Sequence, residues 1–113
     1  MKIKPSKALL SMIVSLMLIP ATGAAKGNAA VGQKKAATCA ACHGPDGHSV
    51  DPNYPNLAGQ YRSYLVKALT DYRAGRRSNV IMAGFASQLS NQDIDDLAAW
   101  FSSQQGLVDL SQK

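Results

Sequence analysis

Both cysteines of this 113-residue chain lie in one short segment, Cys39-Ala40-Ala41-Cys42-His43. This Cys-x-x-Cys-His spacing is the attachment signature of a c-type haem. On a helical turn, residues at i, i+3 and i+4 project from one face, so both sulfurs can meet the vinyl groups of one porphyrin edge. The His43 ring then reaches the iron. A chain with this motif has to fold around a large flat group, and a single motif predicts one covalently attached haem c.

Two other chemistries use the same residue types. A Cys-x-x-Cys pair can form a disulfide or the centre of a thiol oxidoreductase, but nothing before Cys39 resembles the strand–helix frame of a thioredoxin fold. Zinc requires four ligands, and Cys39, Cys42, His43 and His48 are the only available set. Their spacing differs from the usual two-pair pattern of zinc sites. The haem interpretation fits the motif better than either alternative.

The first 25 residues have the three parts of a secretory signal peptide. A basic start precedes an apolar run from Ala8 to Ile19, Pro20 breaks the run, and small residues follow up to Ala25. The run is 12 residues long, and a membrane-spanning helix needs about 20 apolar residues. Residues 1–25 are therefore predicted to be removed on export, leaving residues 26–113 as one domain without a membrane span.

The mature domain is small and weakly charged. The full chain carries a net charge of +5, but three of its twelve Lys and Arg leave with the signal peptide while all seven Asp remain, which leaves +2. This balance gives no support for nucleic-acid binding. Large apolar residues are few, with one Trp and two Phe in the whole chain. A domain of this size and composition usually needs a disulfide, a metal or a prosthetic group at its centre.

The patterns along the mature domain predict three main helices. Residues 26–38 are rich in Ala and favour a helix by propensity. Apolar and aromatic residues recur at helical spacing over 61–72, and Gly75 ends that helix. We interpret the tyrosines of this stripe as core lining. A capping box begins a last helix at Ser90, and Gly106 is its predicted end. The fold class is therefore all-α.

Two loops separate these helices. Residues 44–59 are rich in Gly, Pro, Asn and Asp, which break both helices and strands. Residues 76–89 show no sustained period, so they are predicted to be an extended loop. Long loops and three helices would together surround the prosthetic group.

Met82 is the candidate for the second axial iron ligand. It is the only methionine that remains after removal of the signal peptide, and it lies 39 residues beyond His43, past a full helix. His48 follows His43 too closely to reach the opposite face of a haem. The alternative is an ordinary core methionine. Ligation by His and Met is a known pattern for haem iron, so Met82 is the predicted ligand.

These residues together resemble a class I cytochrome c over essentially the whole mature domain. The resemblance covers the haem motif with Gly44, the segment from Tyr54 to Gln60 (Tyr-Pro-Asn-Leu-Ala-Gly-Gln), and the segment from Tyr72 to Ser90 with Met82. The closest subgroup is that of small bacterial periplasmic cytochromes similar to one half of the dihaem c-four type. Since this chain has one motif, the behaviour of a two-haem protein is not carried over.

The resemblance implies further roles. Pro55 matches the family proline whose carbonyl accepts a hydrogen bond from the second nitrogen of the proximal histidine, although it could simply break the loop. Gly32 and Ala36 resemble the small-residue notch where the first helix crosses the last, near Leu97 and Trp100, although Gly32 could also be a glycine without a packing role in an Ala-rich helix.

The predicted function is that of a periplasmic one-electron carrier rather than an enzyme. Its haem c would cycle between Fe(II) and Fe(III) with both axial positions filled, so no site would be open to a substrate. Partners would be redox proteins bound transiently by a monomer or weak dimer. A haem-bearing subunit of a larger oxidoreductase is an alternative, as is a ligand-binding or sensor cytochrome with a labile sixth ligand.

Six cations are candidates for steering an acidic redox partner or for holding the haem propionates. They are Lys34, Lys35, Lys67, Arg73, Arg76 and Arg77. Exposed Lys and Arg more often form only a solvated surface, so this alternative stays open.

Overall fold

The structure is a computed structural model that describes residues 1–2 and 27–106. Within these residues it contains five α-helices, one 3₁₀ turn and no strand, which confirms the all-α prediction. The predicted signal peptide over 1–25 lies almost entirely outside the described residues. None of the helices in the described ranges is long and apolar enough to cross a membrane.

The first helical segment leads directly into the Cys-x-x-Cys-His motif. Helix α1 (Ala29–Lys35) begins where the Asn28 side chain accepts a hydrogen bond from a backbone N–H of the first turn. A 3₁₀ turn (Ala36–Thr38) and helix α2 (Ala40–His43) follow. The helix predicted over 26–38 is therefore present, but it begins three residues later and its last three residues form a 3₁₀ turn before the motif.

Helix α3 (Arg62–Arg73) matches the predicted second helix. Gly75 follows it with φ at +75°, a left-handed conformation that strains any residue with a Cβ. The end of this helix therefore agrees with the sequence prediction.

Residues 76–89 differ from the predicted extended loop, because helix α4 (Val80–Ala86) forms there. The Asn79 side chain caps this helix by accepting a hydrogen bond from the Met82 backbone N–H at 2.9 Å. A period is hard to detect in seven residues, and this segment has no polar face that would mark an amphipathic helix.

Helix α5 (Asn91–Ser102) begins with the predicted capping box. The Ser90 hydroxyl accepts from the Asp93 N–H at 3.0 Å, and the Asp93 carboxylate accepts from the Ser90 N–H at 2.8 Å. The helix ends at Ser102, earlier than the predicted stop at Gly106, because its last turn closes through bonds to the Trp100 and Phe101 carbonyls.

Helices α1 and α5 cross at close range, as the predicted small-residue notch requires. A Cβ at Gly32 would lie 2.0 Å from the Asp96 carbonyl oxygen and 3.0 Å from the Trp100 Cβ, so only glycine fits. Ala36 is buried in the same core cluster as Leu97. The notch is therefore confirmed, with Asp96 as an additional contact.

Asp96 is a buried carboxylate that ties α1 to α5. Its side chain, 4% exposed, accepts hydrogen bonds from the Asn28 backbone N–H at 2.8 Å, from the Lys35 ammonium at 2.6 Å and from the Gln92 amide at 2.8 Å. The Lys35 ammonium and the Asn28 N–H lower the pKa of this carboxyl. Three donors satisfy a charge that burial alone would destabilise.

The 44–59 segment is irregular, as predicted. The Leu57 N–H donates to the Gly47 carbonyl at 2.7 Å, and the Trp100 indole N–H donates to the Pro45 carbonyl at 3.1 Å. These bonds fix the loop between α2 and α5, which places Pro55 beside the motif.

Candidate functional site

A cavity of about 430 Å³ lies between α2, the 44–59 loop and helices α3, α4 and α5. All five site residues predicted from the sequence line it: Cys39, Cys42, His43, Pro55 and Met82. Most other walls are apolar or aromatic and include Leu57, Leu65, Leu69, Phe85, Leu97 and Phe101. The fold thus brings two thiols, an imidazole and a thioether to one largely apolar cavity.

The Cys-x-x-Cys-His motif forms a helical turn. The His43 N–H donates to the Cys39 carbonyl at 2.9 Å, which is the i to i+4 bond of an α-helix. Both Cys39 and Cys42 are free thiols of intermediate exposure. Burial raises the pKa of the Cys39 thiol. This turn gives the two sulfurs and the imidazole a common cavity.

The His43 ring is buried and oriented by the loop. Its Nδ1 lies 2.8 Å from the Pro55 carbonyl oxygen. A carbonyl only accepts hydrogen bonds, so Nδ1 carries the proton and the Nε2 lone pair of the neutral ring stays available to a metal. The Tyr54 ring contacts the imidazole edge to face, with centroids 6.4 Å apart. These two neighbours fix both the tautomer and the plane of the ring.

Met82 reaches the cavity from α4, and the side chains of Asn79 and Arg73 hold the region that carries it. Asn79 caps the helix through the Met82 N–H. At the other end, Arg73 donates to the Leu89 carbonyl at 2.9 Å and to the Asn91 side chain at 2.7 Å. The roles of Asn79 and Arg73 were not predicted. An Asn three residues before Met82 is the one sequence signal for the cap, and no local pattern marks Arg73.

Arg77 and two tyrosines form a cluster that also lines the cavity. The Arg77 guanidinium lies 4.8 Å from the Tyr72 ring centroid and donates to the Tyr64 hydroxyl at 3.1 Å. The hydrogen bond to Tyr64 raises the Arg77 pKa. The tyrosine stripe is thus cavity lining only in part, because Tyr61, 80% exposed, does not line the cavity.

Most of the candidate steering cations are held within the chain. The structure gives side-chain contacts to Lys35, Lys67, Arg73, Arg76 and Arg77. Lys67 and Arg76 share the Asp71 carboxylate, and the two cations lower its pKa. Because one acid serves the two cations among the described residues, this end of α3 keeps a positive charge there.

The zinc alternative finds no support in the part of the chain that the structure describes. That part contains no cluster of three or more His, Cys or Asp side chains arranged to hold a metal ion. His48 lies against Asp46, with its Nδ1 3.1 Å from the carboxylate, and it does not line the cavity. The donor set instead fits a covalently held haem: two thiols, an oriented imidazole, a thioether and apolar walls.

The fold and the cavity define a small all-α domain built to enclose a haem. Comparison with known proteins agrees, since the Cytochrome c family profile matches residues 24–105. The chain belongs to the cytochrome c family. Its cofactor is therefore a covalently bound haem c, as the motif predicts.

The relatives place the chain near one subgroup. Cytochrome c4 of Pseudomonas aeruginosa is 46% identical over 106 residues, which are 94% of this chain and 52% of the relative. Cytochrome c-554(548) of Halomonas halodenitrificans is 46% identical over 82 residues, 70% of this chain and 99% of the relative. The chain thus spans about half the length of its cytochrome c4 relative, as the resemblance to one half of that type predicts.

A solved structure shows the same fold. The crystal structure of reduced recombinant cytochrome c4 from Pseudomonas stutzeri matches with a TM-score of 0.69 and 48% identity. The match covers 73% of this chain and 48% of that one. This similarity confirms the predicted cytochrome c fold.

Proposed function

We propose that the protein is a periplasmic one-electron carrier, with the haem attached through Cys39 and Cys42 and its iron ligated by His43 and Met82. The observation that carries this proposal is the 2.8 Å bond from His43 Nδ1 to the Pro55 carbonyl. It directs the free nitrogen of a buried imidazole to a cavity that the two thiols and the thioether also line. Catalysis is not part of the proposal.

The chain's residues act by holding and shielding the cofactor. Pro55 fixes the His43 ring and strengthens it as a donor, because a partly shared Nδ1 proton makes Nε2 more electron-rich. Met82 would supply the second iron ligand, which would exclude a substrate from the metal. A bound haem supplies exchange of a single electron, at a potential that a thioether ligand raises. The apolar walls keep water away from the cofactor, which also raises its potential.

The two alternatives make different demands on the structure. A permanent subunit needs an interface of about 20 to 30 residues on each partner. The large apolar residues exposed on α4 are only Val80, Ile81 and Phe85, which suits a small and short-lived contact. A sensor with a labile sixth ligand needs a weakly held Met82, whereas here Asn79 caps the helix that carries it.

Spectra of purified protein test the carrier directly. We expect a haem-staining band on a denaturing gel, a weak far-red sulfur-to-iron band in the oxidised protein, and slow carbon monoxide binding by the reduced protein. Met82→Ala should abolish the far-red band and lower the potential while the haem stays attached. Ile81→Ala is the matched control, since it truncates the neighbouring cavity-lining residue without removing a donor atom. If Met82→Ala keeps the far-red band, as Ile81→Ala should, then Met82 is not the ligand.

Export is tested separately. Fractionation of cells should place the haem-staining protein in the periplasm. Deletion of residues 1–25 should leave it colourless in the cytoplasm. A haem-loaded cytoplasmic product would contradict the proposed export.

A further inference from the structure

The segment that carries Met82, residues 78–89, has few polar ties to the rest of the domain. In the part of the chain that the structure describes, the hydrogen bonds of this segment are internal to it, with one exception. The exception is the 2.9 Å bond that the Leu89 carbonyl accepts from Arg73. Apolar packing adds the buried Ala86 and the partly buried Leu89. A single side chain therefore makes the polar connection between the Met82 segment and the domain.

Arg73 closes the base of a loop that contains α4. It is the last residue of α3, and its guanidinium donates to the Leu89 carbonyl, 16 residues later, and to the Asn91 side-chain oxygen, 18 residues later, at 2.7 Å. The planar fork of an arginine lets two nitrogens engage two oxygens at once, which a lysine ammonium does less well. The end of α3 is thus joined to the start of α5, with the Met82 segment between them.

This contact lies outside the cavity. Neither Arg73 nor Asn91 lines the cavity, and only the backbone carbonyl of Leu89 takes part, so the contact does not depend on what fills that space. Both acceptors are neutral, and the ion pairs of the described residues do not include Arg73. A guanidinium directed at two neutral oxygens within the fold positions a segment rather than pairing a charge.

We infer that Arg73 is a positioning residue for Met82, because it holds the Met82 segment closed and so keeps the sulfur at the cavity. The inference rests on the proposed role of Met82 as an iron ligand. Loss of the Arg73 contact lets this segment open locally while the helices around it stay folded. The frequency of that opening then sets how often the sulfur is withdrawn.

Two measurements on the haem-loaded protein report the opening. Hydrogen exchange of the α4 segment, read at the Ala83 and Ser87 N–H groups, follows the opening whether or not Met82 binds iron. Carbon monoxide binding by the reduced protein follows withdrawal of the sulfur. Arg73→Ala should speed both by about tenfold, because it removes two hydrogen bonds from a charged donor. The far-red sulfur-to-iron band should remain, since the closed state still predominates.

Two matched controls come from the same helix. Arg76→Ala removes the same charge from the same end of α3, but the Arg76 guanidinium contacts Asp71 instead of the loop base. Arg62→Ala breaks the ion pair with Asp95, which joins α3 to α5 at the other end of α3. Both controls should leave the two rates at the parent value, even if Arg62→Ala lowers overall stability in urea.

A double-mutant cycle tests whether Arg73 acts through the loop base. Asn91→Ala removes one of the two acceptors and should by itself speed both rates by about threefold. In the Arg73→Ala background it should add nothing, because the contact is already lost. Arg73→Lys keeps the charge and one donor group, so its rates should fall between those of the parent and of Arg73→Ala.

Three results would overturn the positioning role. The first is equal exchange and carbon monoxide rates in Arg73→Ala and Arg76→Ala. The second is an effect of Asn91→Ala that persists in full in the Arg73→Ala background. The third is faster exchange in α4 with unchanged carbon monoxide binding. Absence of the far-red band from the parent would instead contradict the proposed ligand, so failure of the proposed function is distinguishable from failure of this inference.

Discussion

Asn79→Ala tests how the fold holds Met82, the proposed sulfur ligand. The Asn79 side chain accepts a hydrogen bond from the backbone N–H of Met82 itself. Alanine keeps the backbone bond from the Ala83 N–H to the residue 79 carbonyl, so the variant removes one side-chain bond only. Loss of an Asn cap costs about 1 kcal/mol. A free-energy change of about 1 kcal/mol corresponds to roughly a fivefold larger population of opened α4.

With Met82 as the proposed ligand, carbon monoxide binding would measure that opening, because the gas would compete with the sulfur for the reduced haem. We expect Asn79→Ala to bind carbon monoxide about five times faster than the parent, in proportion to the opened population. Asn28→Ala is the matched control, since Asn28 caps α1 by the same kind of bond at 3.1 Å. This control should lower overall stability without changing the binding rate. Asn79→Asp keeps a capping oxygen and should restore the slow rate.

Two results would refute this reasoning. Equal acceleration in Asn79→Ala and Asn28→Ala would mean that the iron opens through global unfolding rather than through α4. Fast binding in Asn79→Asp would mean that the cap is irrelevant and that some other property of Asn79 matters.

Three further predictions concern the crossing of α1 and α5. Asp96→Ala should lower the free energy of unfolding, measured by urea titration, by about 3 kcal/mol, because it removes a buried acceptor. The control Asp95→Ala breaks a half-exposed ion pair and should lower the same quantity by less than about 1 kcal/mol. The Lys35 ammonium and the capping contacts lower the pKa of Asp93 to about 2. Because the unfolded carboxyl titrates near pH 4, the contribution of Asp93 to stability should be constant above about pH 5 and be lost between about pH 4 and 2. The parent and Asp93→Asn should therefore converge in stability toward pH 2, and a difference that grows there would contradict the assignment. Gly32→Ala should lower the thermal midpoint, since its Cβ would lie 2.0 Å from the Asp96 carbonyl oxygen.

The sequence predicted those features that depend on local chemistry. The Cys39–His43 spacing, the Ser90 capping box and the glycine after α3 each act within a few residues, so they can be recognised without the fold. The axial role of Met82 came from elimination among the mature domain's side chains and from the family resemblance. It is still a prediction, although the fold places Met82 at the cavity.

The features that were not predicted depend on contacts between distant segments. Asp96 lies beside a clear apolar stripe, and only the approach of the α1 segment, more than 60 residues earlier, gives this acid two of its three donors. Arg73 likewise acquires its role from a carbonyl 16 residues away. Composition and period give no information on such pairs, which explains why Asp96 received no role from the sequence and Arg73 only a candidate role in steering a partner or holding the propionates.

Helix α4, which the sequence pattern did not predict, carries Met82, the predicted sulfur ligand. An amphipathic helix is recognised because one face packs on the core while the other meets water. Helix α4 departs from this rule, since Met82 and Ala86 face the domain while Val80 and Gly84 present an uncharged outer surface. Because neither face of α4 carries a polar side chain, the periodic signal of an amphipathic helix is absent from residues 80–86.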